Sequence, residues 1–161
     1  MENEKLSNIV AEVLKQVRNE QNKKLTLEIA DKLIDAVNEK AKEMGVNAVC
    51  AVSNSEGNII AVKCMDDSYI ASYDIAVNKA FTVTALKMST KTLKPMAQPG
   101  QPLYGIQFTN NGKIVIFGGG EPLKNSSGEI IGGIGVSGGS EKQDTALAAY
   151  GKEIFEKGQY L

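Results

Sequence analysis

Few residues in this sequence are equipped for chemistry, and histidine is absent altogether. Without imidazole, the commonest general base and the commonest metal and heme ligand are missing. Ser-His-Asp and Cys-His arrangements are excluded, and two cysteines cannot make a Cys-only zinc site. What remains is a lysine, a carboxylate and a bare stretch of backbone. Lys79 falls in an apolar helical run with Ala76, Val77, Ala80 and Val83, and Asp144 opens a later helix. Beside a nest of N–H groups at Gly118-Gly119-Gly120, the two would form an acid–base site for a small molecule. Each also has a plainer reading. A lysine on an apolar helix snorkels to the surface, and an aspartate in a first helical turn complements the helix dipole.

The glycines organise the chain. Nine of the sixteen lie between Gly118 and Gly139, interleaved with Ile130, Ile131, Ile134 and Val136. That pattern reads as strand, tight turn, strand, with bare backbone open to a close neighbour. Gly133-Ile134-Gly135-Val136-Ser137-Gly138 matches the dinucleotide fingerprint G-x-G-x-x-G, which requires a helix and then a second strand. A helix follows from Ser140, but no second strand does. The glycines of Gly132 to Gly139 therefore read as packing positions. Gly118 to Gly120, in a turn with free N–H groups, reads as the ligand contact.

Other candidate ligands are weaker. Met65, Met88 and Met96 carry soft sulfur that could reach a metal or heme iron, yet methionine usually fills gaps. Asp66-Asp67 could bind a cation; capping of the following helix is the expected role. Cys50 and Cys64 lie on two arms of a hairpin around Ser55-Glu56-Gly57-Asn58. A two-residue loop there pairs Cys50 with Lys63 and Cys64 with Val49, so the thiols face opposite sides and stay unbridged.

These residues must be positioned by a modest set of elements. Leu6, Ile9, Val10, Val13, Leu14 and Val17 make an apolar stripe on a helix over residues 1–20. Residues 21–24 are polar and read as a linker. Thr26 caps a second helix with apolar positions Leu27, Ile29, Ala30, Leu33, Ile34, Val37 and Ala41, closed by Gly45. Val46–Ser53 and Asn58–Met65 form the first hairpin, and a helix runs from about Tyr69 to Met88. Leu103–Phe108 and Lys113–Phe117, around Asn110-Asn111-Gly112, read as a second hairpin. Ser140 with Gln143 forms a capping box for the last helix. The expectation is an α+β fold: a mostly antiparallel five-stranded sheet flanked by helices, within a domain spanning 25–161.

With 161 residues the chain is one domain plus an appendage. A net charge of −1 offers no electrostatic footprint for nucleic acid or an anionic membrane. The apolar runs are too short to span a bilayer. Two cysteines without a signal peptide point to a reducing, cytoplasmic setting.

From Leu25 to about Phe155 the chain resembles the GlcG/HbpS-like family, which includes the C-terminal domain of PduO-type proteins. The residues that carry the resemblance occur in the family's order. They are Leu25-Thr26-Leu27 with Ala30, Met65-Asp66-Asp67-Ser68 with Ala76-Val77-Asn78-Lys79-Ala80, Gly118-Gly119-Gly120-Glu121-Pro122, Gly128 with Gly132 to Gly138, and Gln143-Asp144 before Ala148. The resemblance implies a profilin- or PAS-like antiparallel sheet and dimer-based homo-oligomers. It also implies heme or corrinoid (cobalamin) binding in some members, without a general catalytic mechanism. Where relatives ligate heme iron by histidine, this chain has none as an axial ligand; a corrinoid held by its periphery remains compatible.

The segment Leu6 to Val17 is similar to the encapsulation peptides that tether cargo to bacterial microcompartment shells. Its stripe would seek a groove on shell or cargo proteins. The combined expectation is a non-catalytic tetrapyrrole-binding accessory protein inside a microcompartment. Its ligand would meet Met65, Lys79, Phe117, Gly118, Gly119, Gly120, Pro122, Ser137 and Asp144. A small-molecule enzyme using Asp144 and Lys79, or a purely structural subunit, are the alternatives.

Overall fold

Strand β1 (Val49–Asn54) sits inside a four-stranded sheet because its residues are apolar on both sides. Cys50 and Val52 face one core; Val49 and Ala51 face another. In the computed structural model, which describes residues 2–21 and 25–160, the other strands are β2 (Ile59–Cys64), β3 (Gly120–Lys124) and β4 (Ile130–Ser137). The sheet order is β2-β1-β4-β3, and every pairing is antiparallel. The α+β architecture is as expected, with four strands in place of five.

Two helices cover one face of the sheet. Helix α1 (Glu2–Gln21) precedes the domain, and α2 (Leu27–Glu43) begins it. Thr26 Oγ1 accepts the Ile29 N–H at 3.2 Å, the expected N-cap. At the other end Val46 N–H donates to the Ala41 carbonyl and Gly45 N–H to that of Lys42. This Schellman closure needs the left-handed φ of 68° that Gly45 adopts. Helix α5 (Glu141–Glu156) lies beside α2, opened by the capping box of Ser140 and Gln143. Leu33, Ile34, Val37, Leu147 and Phe155 from these helices bury against Cys50, Val52, Ile134 and Val136. Each fully buried Leu or Ile contributes about 1.5–3 kcal/mol.

Helix α3 (Ile70–Leu86) packs on the other face, directly onto backbone. Strand β4 alternates, so Gly133 and Gly135 point at α3 while Ile134 and Val136 enter the α2–α5 core. A Cβ on Gly135 would land on the Ala76 carbonyl oxygen and 2.6 Å from the Ala80 nitrogen. Of the glycines that mimic a nucleotide fingerprint, Gly133 and Gly135 are thus a bed for a helix, while Gly138 sits against the backbone of Asn47 and Ala48.

The first hairpin has the expected register, with Cys50 opposite Lys63 and Val49 opposite Cys64. Both thiols are free, Cys50 buried and Cys64 exposed. Two expectations fail, and a third is not tested by the described residues. Leu103 to Phe117 is not a hairpin; it forms turns with short 3-10 segments at Ile106–Phe108 and Asn110–Gly112. Asn110, Asn111 and Gly112 all take positive φ, coiling the chain too tightly for two strands to leave it. Neither aspartate caps α3, whose N-cap is Tyr69 without a side-chain bond; Asp67 instead takes φ 61° in the preceding turn. Finally, the linker expected at 21–24 falls, beyond Gln21, outside the described residues.

Candidate functional site

The turn from Phe117 to Gly120 leads into edge strand β3 and is held by three helices. From α3, Lys79 extends past the end of β3. Its ammonium donates to the Val136 carbonyl at 2.8 Å and to Asp144 Oδ2 at 3.3 Å, and lies 4.9 Å from the centre of the Phe117 ring. From α5, Glu141 Oε1 accepts the Gly118 N–H at 3.0 Å. From the short helix α4 (Thr90–Met96), Thr90 Oγ1 accepts the Gly120 N–H at 2.9 Å. Lys94 of α4 closes the ring, donating to Glu141 Oε2 at 2.6 Å.

Lys79 therefore does not snorkel: it has no exposed surface, and Asp144 is buried with it. Asp144 Oδ1 also accepts the Gly139 N–H at 2.9 Å, so the carboxylate ties the end of β4 to the start of α5. Burial pushes the Lys79 ammonium below its ordinary pKa, opposed by the attraction of Asp144 and, more weakly, Glu141. The Glu141 carboxyl is held below its usual range by the Lys94 bond first and the Gly118 N–H second.

The sequence expectation of free N–H groups at the turn needs correction, since two of the three are taken, Gly118 by Glu141 and Gly120 by Thr90. The close approach itself is real. A Cβ on Gly118 would collide with Thr145 Oγ1, and one on Gly119 with the Lys79 ammonium.

Of the expected ligand contacts, the structure gathers Lys79, Phe117, Gly118, Gly119, Gly120 and Asp144 around one turn. The others lie elsewhere. Pro122 is within β3 opposite Gly133, an edge position that tolerates its missing N–H. Ser137 Oγ meets Ser72 Oγ at 3.2 Å on the α3 side. Met65 packs against the α2–α5 core, its sulfur accepting the Ala48 N–H at 3.2 Å, and borders a groove of about 500 Å³ with Asp35, Glu39, Asp66 and Asp67. Thr90, Lys94 and Glu141 carry no sequence signal. Glu141 reads there as an ordinary first-turn acid, and its partners are 23 and 47 residues away.

The donor set is a poor match for heme held through an axial imidazole, because the chain contains none. Met65 already engages a backbone N–H, and Cys50 is buried with its thiol pushed up by desolvation. No group of three or more Cys, Asp or Glu suited to a metal ion occurs among the described residues. Nor is any described helix long and apolar enough to cross a membrane. The stripe of α1, Leu6, Ile9, Val10, Val13, Leu14 and Val17, remains 44–63% exposed.

Comparison with known proteins finds a family model described as "Haem degrading protein HbpS-like" that matches residues 25–153. An uncharacterized 15.0 kDa protein from the dhaT-dhaS intergenic region of Citrobacter freundii is 41% identical over 140 residues, 87% of this chain and 98% of that protein. The corrinoid adenosyltransferase PduO of Salmonella typhimurium is 38% identical over 116 residues, 72% of this chain but only 34% of PduO. Among solved structures, a PduOC:heme complex superposes with a TM-score of 0.77 at 35% identity, covering 81% of this chain and 94% of that one.

Proposed function

The chain belongs to the HbpS-like family, and from that premise we propose that it is a tetrapyrrole-binding accessory protein of a bacterial microcompartment, non-catalytic and homo-oligomeric. The observation that carries this reading is the relative at 35% identity whose structure is a complex with heme. PduO is named for corrinoid chemistry, but the match spans a third of it, so adenosyl transfer is not part of the proposal. Within the tetrapyrroles a corrinoid suits these residues better than heme. Cobalamin brings its own axial base and asks the protein for apolar surface and backbone contacts. This chain lacks the imidazole that heme iron most often takes. The turn from Phe117 to Gly120, with Lys79 and Asp144 beneath it, is the proposed contact.

The microcompartment part rests on α1. Six large apolar side chains on one stripe stay exposed, and a helix draws most of its stability from packing such a face against a partner. Residues 1–20 would dock that stripe on a shell or cargo protein and package a cytoplasmic chain inside the compartment.

Titration of the full chain with cobalamin and with hemin, followed by absorbance and calorimetry, tests the ligand. Binding of either below the high-micromolar range supports the reading, with cobalamin expected to be the tighter. Binding of neither overturns it.

A further inference from the structure

We propose that the seat now filled by the Glu141 side chain is a carboxylate-binding subsite, open to a ligand whose flat apolar body rests on Phe117. One oxygen of the Glu141 carboxylate receives the Gly118 N–H at 3.0 Å, the other the Lys94 ammonium at 2.6 Å. A backbone N–H and an ammonium that grip the two oxygens of one carboxylate form a receptor for that group, whichever molecule supplies it. The positive Lys79 lies just beneath, and its attraction also reaches Glu141.

The seat is built as well as charged. Thr145 Oγ1 occupies the space a side chain on Gly118 would need, so that residue must present bare backbone. Phe117, next in the chain, is 38% exposed, with one face turned to the Lys79 ammonium. The side chains of Glu141 and Lys94 are 38% and 45% exposed, so a ligand can reach both. Exposed ion pairs are weak, about 0–1 kcal/mol, and the internal carboxylate can therefore be displaced. Glu141 acts as a built-in competitor that keeps the donors satisfied until a stronger carboxylate arrives.

Such a seat goes beyond the preferred corrinoid: flat carboxylates qualify, hemin with its propionates among them, whereas cobalamin, with amides on its corrin periphery, does not need it. The test uses benzoate as probe, with calorimetry and the Gly118 amide resonance as readouts. Glu141→Ala should bind benzoate more tightly than the native chain, by up to about fivefold, with a shift of the Gly118 amide. Glu141→Gln, which keeps the size of the side chain, should give a smaller gain of the same sign. Adding Lys94→Met to Glu141→Ala should abolish the gain. Absence of any gain in both Glu141 variants, with native amide spectra, overturns the proposal, as does a gain that survives Lys94→Met. Cobalamin affinity, measured on the same variants, reports separately on the tetrapyrrole reading.

Discussion

The Lys79 ammonium lies 3.3 Å from the Asp144 carboxylate, 65 residues away in the chain, and both groups are buried. Lys79 belongs to α3 on one face of the sheet and Asp144 to α5 on the other. The pair is thus a strut at the end of the sheet that joins the two helical layers and passes under the Phe117 ring.

Breaking this strut from one side should be costly. Lys79→Met leaves the buried Asp144 carboxyl without its cationic partner, and loss of one partner of a buried pair costs about 3–5 kcal/mol. The double variant Lys79→Met with Asp144→Asn removes both charges and keeps an acceptor for the Gly139 N–H. It should recover most of the loss. Urea midpoints of the three proteins decide; equal midpoints for Lys79→Met and the native chain would show that the strut contributes nothing.

Lys79 also predicts a pH dependence. Burial lowers its pKa in the folded chain below the ordinary 10.5. Between the lowered value and 10.5, the unfolded chain keeps the proton that the folded chain has lost. The unfolded state binds more protons there, so this group makes stability rise with pH through that window. Below the lowered value both states are protonated and the slope from Lys79 vanishes. Stability of the native chain minus that of Lys79→Met, followed by urea unfolding across alkaline pH, should increase with pH. A flat or falling difference contradicts the assignment.

Much of this fold can be read directly in the residues, and the exceptions share a cause. The Thr26 cap, the Gly45 closure, the Ser140–Gln143 box and the Cys50–Lys63 register depend on neighbours or on one tight turn, so local rules reach them. Ile106, Phe108, Ile114 and Phe117 carry strand-like apolar residues too, but three successive positive φ values at Asn110 to Gly112 override the pattern. The candidate site is half legible. Its glycines and Asp144 stand out by type. The burial of Lys79, and the service of Thr90, Lys94 and Glu141 around the turn, arise from contacts 23 to 65 residues apart.

The bed of α3 is the most sensitive site for small substitutions. Gly135→Ala would place a methyl group against the backbone of Ala76 and Ala80, which cannot move without the whole helix. Overpacking of this kind costs about 1–3 kcal/mol. Gly133→Ala meets the Ala80 carbonyl at 2.8 Å and should behave alike. Thermal unfolding should show both variants well below the native midpoint. An unchanged midpoint would mean that α3 does not rest on these glycines.

Helix α1 should be dispensable for folding and necessary for packaging. Its stripe residues are about half exposed, so they add little to the core that begins at Leu25. Deletion of residues 1–20 should leave the unfolding free energy of the domain, from urea titration, within about 0.5 kcal/mol, as for surface changes away from special features. The same deletion should exclude a fluorescent fusion from microcompartment shells that the full chain enters. Substituting Ile9 and Val13 by glutamate, which keeps the length but splits the stripe, should do the same. Equal entry of the deleted and full chains would separate α1 from targeting, whereas a large loss of stability would show that its stripe covers the domain instead.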